Sequence, residues 1–140
     1  MKKFLVLIFA CSMLTSCSSK LGGNITDLFG KQWMLNSMMG NSDLASMFGD
    51  KIPFFTINDS GRITGKDGCN NLTGNLDLKA LKKGQLDLGN LVSTKMACMN
   101  DGPAKFMDAM GDVSNLKFGE NGGLNLMDAA GNTIMDFVSK

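Results

Sequence analysis

The sequence predicts a mainly β domain of the α+β type. Its expected form is an antiparallel sheet of roughly six to eight strands, curled or closed on itself, around one α-helix at about residues 103–110. Three observations lead there. Asn75-Leu76-Asp77-Leu78, Gln85-Leu86-Asp87-Leu88 and Gly123-Leu124-Asn125-Leu126 alternate polar or small residues with leucines, and a period of two sends the leucines to one face. Turn clusters such as Asp59-Ser60-Gly61 divide the strand-like runs. One segment carries Phe106, Ala109, Met110 and Val113 at i, i+3, i+4 and i+7, an apolar stripe of helical spacing.

Taken in order, residues 25–29 form a single helical turn that Gly30 stops, and residues 33–38 form the first strand. Residues 41–50 are polar and Gly-punctuated, a loop with one helical turn from Leu44, Met47 and Phe48. Residues 53–58 have the aromatic and β-branched character of a strand, and Arg62-Ile63-Thr64 returns beside them as a hairpin. Residues 75–78 and 85–88 are two further strands, with residues 79–84 as their loop. Asp101 is expected as an acidic cap, with Pro103 in the first helical turn and Lys105, Asp108 and Asp112 off the apolar stripe. Residues 124–127 and 133–138 form a last hairpin across residues 128–132.

The N-terminus reads as an address. Met1-Lys2-Lys3 is basic and residues 4–14 carry no charge. At ~1.5 Å per residue this run makes roughly 16 Å of helix, about half of a ~30 Å hydrocarbon core, which suits a signal peptide and is too short to span. Leu14-Thr15-Ser16-Cys17 resembles the bacterial lipoprotein lipobox. The resemblance implies cleavage between Ser16 and Cys17 and a diacylglycerol thioether on Cys17. An ordinary signal peptide cut nearby is the alternative. Residues 1–16 are then the leader, 17–23 the lipidated N-terminus and flexible tether, and 24–140 a single domain. Several acyl chains at ~0.8 kcal/mol per buried CH₂ anchor a chain stably to a membrane. Ser18, directly after the lipidated cysteine, resembles outer-membrane sorting in enteric bacteria, which implies the outer membrane of a bacterial envelope, facing the periplasm; retention in the inner membrane is the alternative.

Composition excludes several chemistries. The 140 residues contain no His, which removes Ser-His-Asp and Cys-His relays and His-ligated zinc. Losing Lys2 and Lys3 with the leader turns a formal charge of +1 slightly acidic, and Arg62 is the sole arginine. No basic stripe remains for a nucleic-acid partner. No phosphate-loop pattern occurs, Asn58-Asp59-Ser60-Gly61 lacks the rest of a calcium loop, and no catalytic pair is singled out. The reading is a protein without enzymatic activity, cofactor or metal.

Of four cysteines, Cys11 leaves with the leader and Cys17 is committed to lipid. Cys69 and Cys98 remain as an even pair in an oxidising compartment, too far apart for a Cys-x-x-Cys motif. A structural disulfide is the expectation, contributing roughly 3.5 kcal/mol on the chain-entropy model. Two buried thiols, or a redox or metal role, are the alternatives.

Several blocks together resemble the META domain family of HslJ-like bacterial lipoproteins. They are Gly30-Lys31-Gln32-Trp33-Met34-Leu35, the strand around residues 53–57, Gly68-Cys69-Asn70-Asn71-Leu72-Thr73-Gly74, Ser93-Thr94-Lys95-Met96-Ala97-Cys98 with the helix after it, and Leu124-Asn125-Leu126. The resemblance implies a bent antiparallel sheet, or half-barrel, wrapping a helix. It implies no established enzymatic activity, and associations with envelope stress and antibiotic tolerance. Asn71 departs from the family's usual Arg, and residues 101–105 lack a frequent Glu. Asn70, Asn71, Thr73 and Thr94 are expected as a polar cluster beside the cysteines, holding turns and register, with ligand contact as the alternative.

The expected function is a lipid-anchored binding or scaffolding module whose partner is an envelope protein or an amphiphile seated in an apolar groove of the curled sheet. The alternative is Cu(I) or redox handling through Met38-Met39 and Met96-Ala97-Cys98-Met99. Met38 and Met39, as strand neighbours, face opposite ways and do not share one ion easily.

Overall fold

A computed structural model describes residues 22–88 and 90–140. The leader, its cleavage point and the lipidation residue Cys17 lie outside the described residues. Among the described residues, eight strands run in chain order as β1 (Gln32–Met38), β2 (Phe54–Ile57), β3 (Arg62–Lys66), β4 (Asn71–Asn75), β5 (Val92–Ser93), β6 (Asn115–Phe118), β7 (Leu124–Met127) and β8 (Thr133–Ser139). Three helices intervene: α1 (Ala45–Phe48), α2 (Leu78–Leu81) and α3 (Gly102–Gly111). A 3₁₀ turn at Ile25–Leu28 precedes β1.

All pairings are antiparallel, in the order β5-β4-β3-β2-β1-β8-β7-β6. The first and last long strands are therefore central neighbours, and the sheet curls into a half-barrel around α3. An irregularity between Leu35 and Ser37 shifts the β1–β8 register. Asn36 Nδ2 donates to Asp136 Oδ1 at 2.8 Å and the Ser37 hydroxyl donates to Asp136 Oδ2, which pins this bend.

The strand period decides the core. Trp33, Leu35, Phe55, Ile57, Ile63, Leu124, Leu126, Met135 and Phe137 all face inward and are buried. The α3 stripe meets them as its spacing requires, with Phe106, Ala109, Met110 and the following Val113 all buried. Phe106 packs edge-on against Phe137 and Phe48, each with ring centroids 6.5 Å apart. Trp33 is fully buried, and its indole N–H donates to the Leu28 carbonyl at 3.0 Å.

Two expected strands are absent. Residues 75–78 do not continue as a strand, because the Asp77 carboxylate accepts from the backbone N–H groups of Lys79 and Ala80 at 2.8 and 3.2 Å. That cap starts α2 where a loop was expected. Residues 85–88 form no strand ladder, and they meet the sheet through a bridge from Gln85 to Asn115 and a Leu86 N–H bond to the Ser114 carbonyl at 2.9 Å. Their alternation still sends Leu86 and Leu88 into the core. Strands β4, β5 and β6 were not anticipated. Asp101 does not cap α3 with its side chain; it pairs with Lys105 at 2.8 Å, and this contact holds its carboxyl below the usual carboxylate range.

Candidate functional site

The concave side of the sheet is filled by α3 and the leucines of residues 76–91. An apolar void of about 10 Å³ remains there, lined by Leu28, Phe55, Ile63, Leu86, Leu116 and Leu126 among others. That space holds at most about one water. The groove expected for a lipid tail is thus occupied by the protein's own side chains.

Chemistry gathers instead at one rim, where the β3–β4 turn meets the segment leading into α3. The sulfurs of Cys69 and Cys98 stand 2.14 Å apart, at disulfide distance, with Cα atoms 6.1 Å apart. Asn70 lies buried beside them. Its side-chain oxygen accepts from the Met96 N–H at 2.7 Å, while its amide donates to Asp67 Oδ2 at 3.1 Å and approaches Cys98 Sγ at 3.5 Å. The Thr94 hydroxyl accepts from the Asn71 N–H at 3.0 Å, and the Thr94 N–H donates to the Asn71 carbonyl at 3.0 Å.

Three of the four expected polar residues therefore meet, Asn71 through its backbone. Thr73 stands apart on β4, opposite Thr64 and Val92. The bonds tie turn to loop. Asn71, in the position where an Arg was usual, is exposed beside Lys66 across the β3–β4 pair.

Asp67 is the residue that the sequence reading missed. It is 1% exposed, and its carboxylate accepts from the N–H groups of Cys69 and Asn70 at 3.0 and 2.6 Å besides the Asn70 amide. An Asp-Gly pair directly before Cys-Asn is a turn signal of the kind in which Asp bonds the backbone two residues on, and it was available. Gly68 adopts φ +101°, and a Cβ there would come within 2.7 Å of the Phe48 ring and 3.0 Å of the Lys51 carbonyl.

Around this rim lie surface hollows. One of about 580 Å³ is lined by Gln32, Met34, Ile52, Phe54, Lys66 and Cys69 among others. A second, about 240 Å³, runs along Gly68, Cys69, Cys98 and Met99. A third, about 360 Å³, lies between Asn70, Met96 and the start of α3. Met96 and Met99 are exposed, Met39 is exposed and Met38 is buried. With its sulfur bonded to Cys69, Cys98 has no thiolate to offer, so a Cu(I) site at Met96 and Cys98 requires the reduced protein.

The META domain model matches residues 26–140. The chain belongs to the META domain family. No curated protein sequence matches it. Among solved structures, it is similar to a protein from Burkholderia xenovorans determined by NMR, at 22% identity and a TM-score of 0.60 over 82% of this chain and 85% of that one. A second NMR structure matches at 19% identity and a TM-score of 0.58, covering 82% and 92%. A crystal structure of a DUF4847 family protein from Bacteroides vulgatus matches at 16% identity and a TM-score of 0.54, covering 79% and 93%. At such identities the likeness is one of fold.

Proposed function

We propose that this META-domain chain is a lipid-anchored, non-catalytic binding module of the bacterial cell envelope, held at the outer membrane and facing the periplasm. The Cys69–Cys98 bond carries the reading. It joins two loops at the sheet rim beside the hollows, and structural disulfides of this kind persist in oxidising compartments such as the periplasm. The lipobox-like Leu14-Thr15-Ser16-Cys17 supplies the anchor. Because the concave side is filled, the partner binds on the outer surface, and the disulfide with Asn70 keeps that surface in one shape. A tethered, rigid binding surface is compatible with the family's association with envelope stress and antibiotic tolerance.

The test is a Cys17→Ser chain expressed beside the wild type. Metabolic palmitate labelling and membrane fractionation should show label and membrane pelleting for the wild type and neither for the variant. A variant that still pellets with membranes overturns the anchor. Crosslinking in the native envelope, compared between the two chains, then identifies partners that depend on anchoring.

A further inference from the structure

We propose that the 580 Å³ hollow on the convex face of the sheet is a binding site for a single-chain anionic amphiphile, an alkyl chain ending in a phosphate or carboxylate. This assigns a ligand class to the outer surface invoked above, but it does not depend on the lipid anchor.

The floor is built by strand register. Phe54 pairs with Lys66 across β2–β3, Met34 with Phe54 across β1–β2, and Met34 with Val138 across β1–β8. Their chain neighbours Trp33, Phe55 and Phe137 point into the core, so Phe54, Met34 and Val138 face outward side by side. Adjacent strands lie ~4.8 Å apart, which makes an apolar strip roughly 10 Å long on a face that an antiparallel sheet normally gives to polar side chains. Phe54 and Met34, which line the hollow, are only half-buried, and Val138, 42% exposed, continues the strip beyond it into a neighbouring hollow. Ile52 extends the strip at one side.

The rim is cationic. Lys51, Lys66 and Lys140 line the hollow with two carboxylates, the Asp50 side chain and the terminal carboxylate of Lys140, so the rim is net positive. Among the described residues the ion pair is Lys105–Asp101, elsewhere in the fold, and no pair within 4 Å joins these three lysines to a carboxylate. The volume falls within the ~300–1,000 Å³ range of small-molecule sites. An apolar floor under a net-positive, lysine-rich rim complements an alkyl chain with an anionic head. A neutral alkane would leave the lysines unused, and inorganic phosphate would leave the floor unused. A flat protein partner would need an interface of ~800 Å² per side, far more than the hollow offers.

The experiment uses the full chain in bilayer discs of phosphatidylcholine, irradiated with a dodecyl phosphate that carries a diazirine on its chain. Labelled peptides are located by mass spectrometry. The expected result is label on residues 32–34 and 52–54, competed by unlabelled dodecyl phosphate and left in place by inorganic phosphate. The Lys51→Glu/Lys66→Glu chain, altered only at exposed positions, should keep its melting temperature and lose labelling about tenfold. Absent label, label scattered over other surfaces, equal labelling by a dodecyltrimethylammonium probe, or undiminished labelling of the charge-reversed chain each overturns the proposal. Cys17→Ser leaves the hollow untouched, so loss of the anchor reading and loss of this site are separate results.

Discussion

Replacing both Cys69 and Cys98 by Ala should lower stability by an amount that follows from the loop they close. The cysteines are 29 positions apart, and releasing a loop of that length returns about 3.6 kcal/mol of chain entropy to the unfolded state at 25 °C. The unfolding entropy of a domain of roughly 120 residues is about 0.25 kcal/mol/K near its melting point, so the expected drop in melting temperature is ~14 °C. The native loop should hardly move. Asn70 still accepts from Met96 N–H at 2.7 Å, and the reciprocal Asn71–Thr94 bonds at 3.0 Å still hold the turn to the loop. Calorimetry of the wild type, the double variant and the reduced wild type measures the shift. Urea titration adds a second signature: an uncrosslinked unfolded chain exposes more surface, so the m-value should rise in the variant. Amide spectra of the folded states should agree away from residues 67–72 and 93–100. A melting temperature within about 4 °C of the wild type, with unchanged m, would refute the entropic account of this bond.

Other perturbations follow from single contacts. Asp67→Ala leaves two backbone N–H groups and the Asn70 amide without their acceptor in a buried turn, and should cost about 3 kcal/mol by denaturant midpoint; an unchanged midpoint counts against a structural role for the carboxylate. Gly65→Ala places a Cβ 2.1 Å from the Phe54 carbonyl oxygen and 2.7 Å from Phe55 Cα. Strands β2 and β3 cannot pair at that spacing, so the variant should lose more than about 3 kcal/mol or fail to fold, read by circular dichroism and melting. Asp77 is fully exposed, and the Lys79 and Ala80 N–H groups hold its carboxyl below its ordinary value of 3.8. The stability that it contributes is therefore complete above the unfolded value and is lost as pH falls through the lower folded one. A carboxyl-carbon titration should show its midpoint below 3.8, and Asp77→Ala should remove both that signal and the protection of the α2 amides.

The strongly periodic segments were legible because one face of each is buried. Residues 33–38, 53–58, 124–127 and 133–138 appear as β1, β2, β7 and β8, and the stripe from Phe106 to Val113 marks α3. Residues 75–78 misled because alternation tells which side chains go inward but not whether the backbone finds a ladder. At Asp77 a local side-chain cap won over pairing. Strand β4 was hidden by its own composition, Asn-Leu-Thr-Gly-Asn, in which only Leu72 signals a buried face. The polar cluster was named from Asn70, Asn71, Thr73 and Thr94, yet its centre is Asp67, whose turn signal was weaker than the cysteine beside it.

By itself the sequence determined the exclusions and the pattern. The absence of His removes relays that need an imidazole from this chain, the spacing of Cys69 and Cys98 excludes a Cys-x-x-Cys motif, and the two periods separate strands from helix. Tertiary structure alone decided what the inside of the sheet contains. Residues 85–88 and α3 approach from distant parts of the chain, and their packing leaves about 10 Å³ where a groove was expected. It also decided that Met34, Phe54, Lys66 and Val138, spread over more than a hundred residues, lie side by side on the outer face. Periodicity is a property of neighbours along the chain, whereas a floor or a filled cavity depends on which strands pair, and in what register.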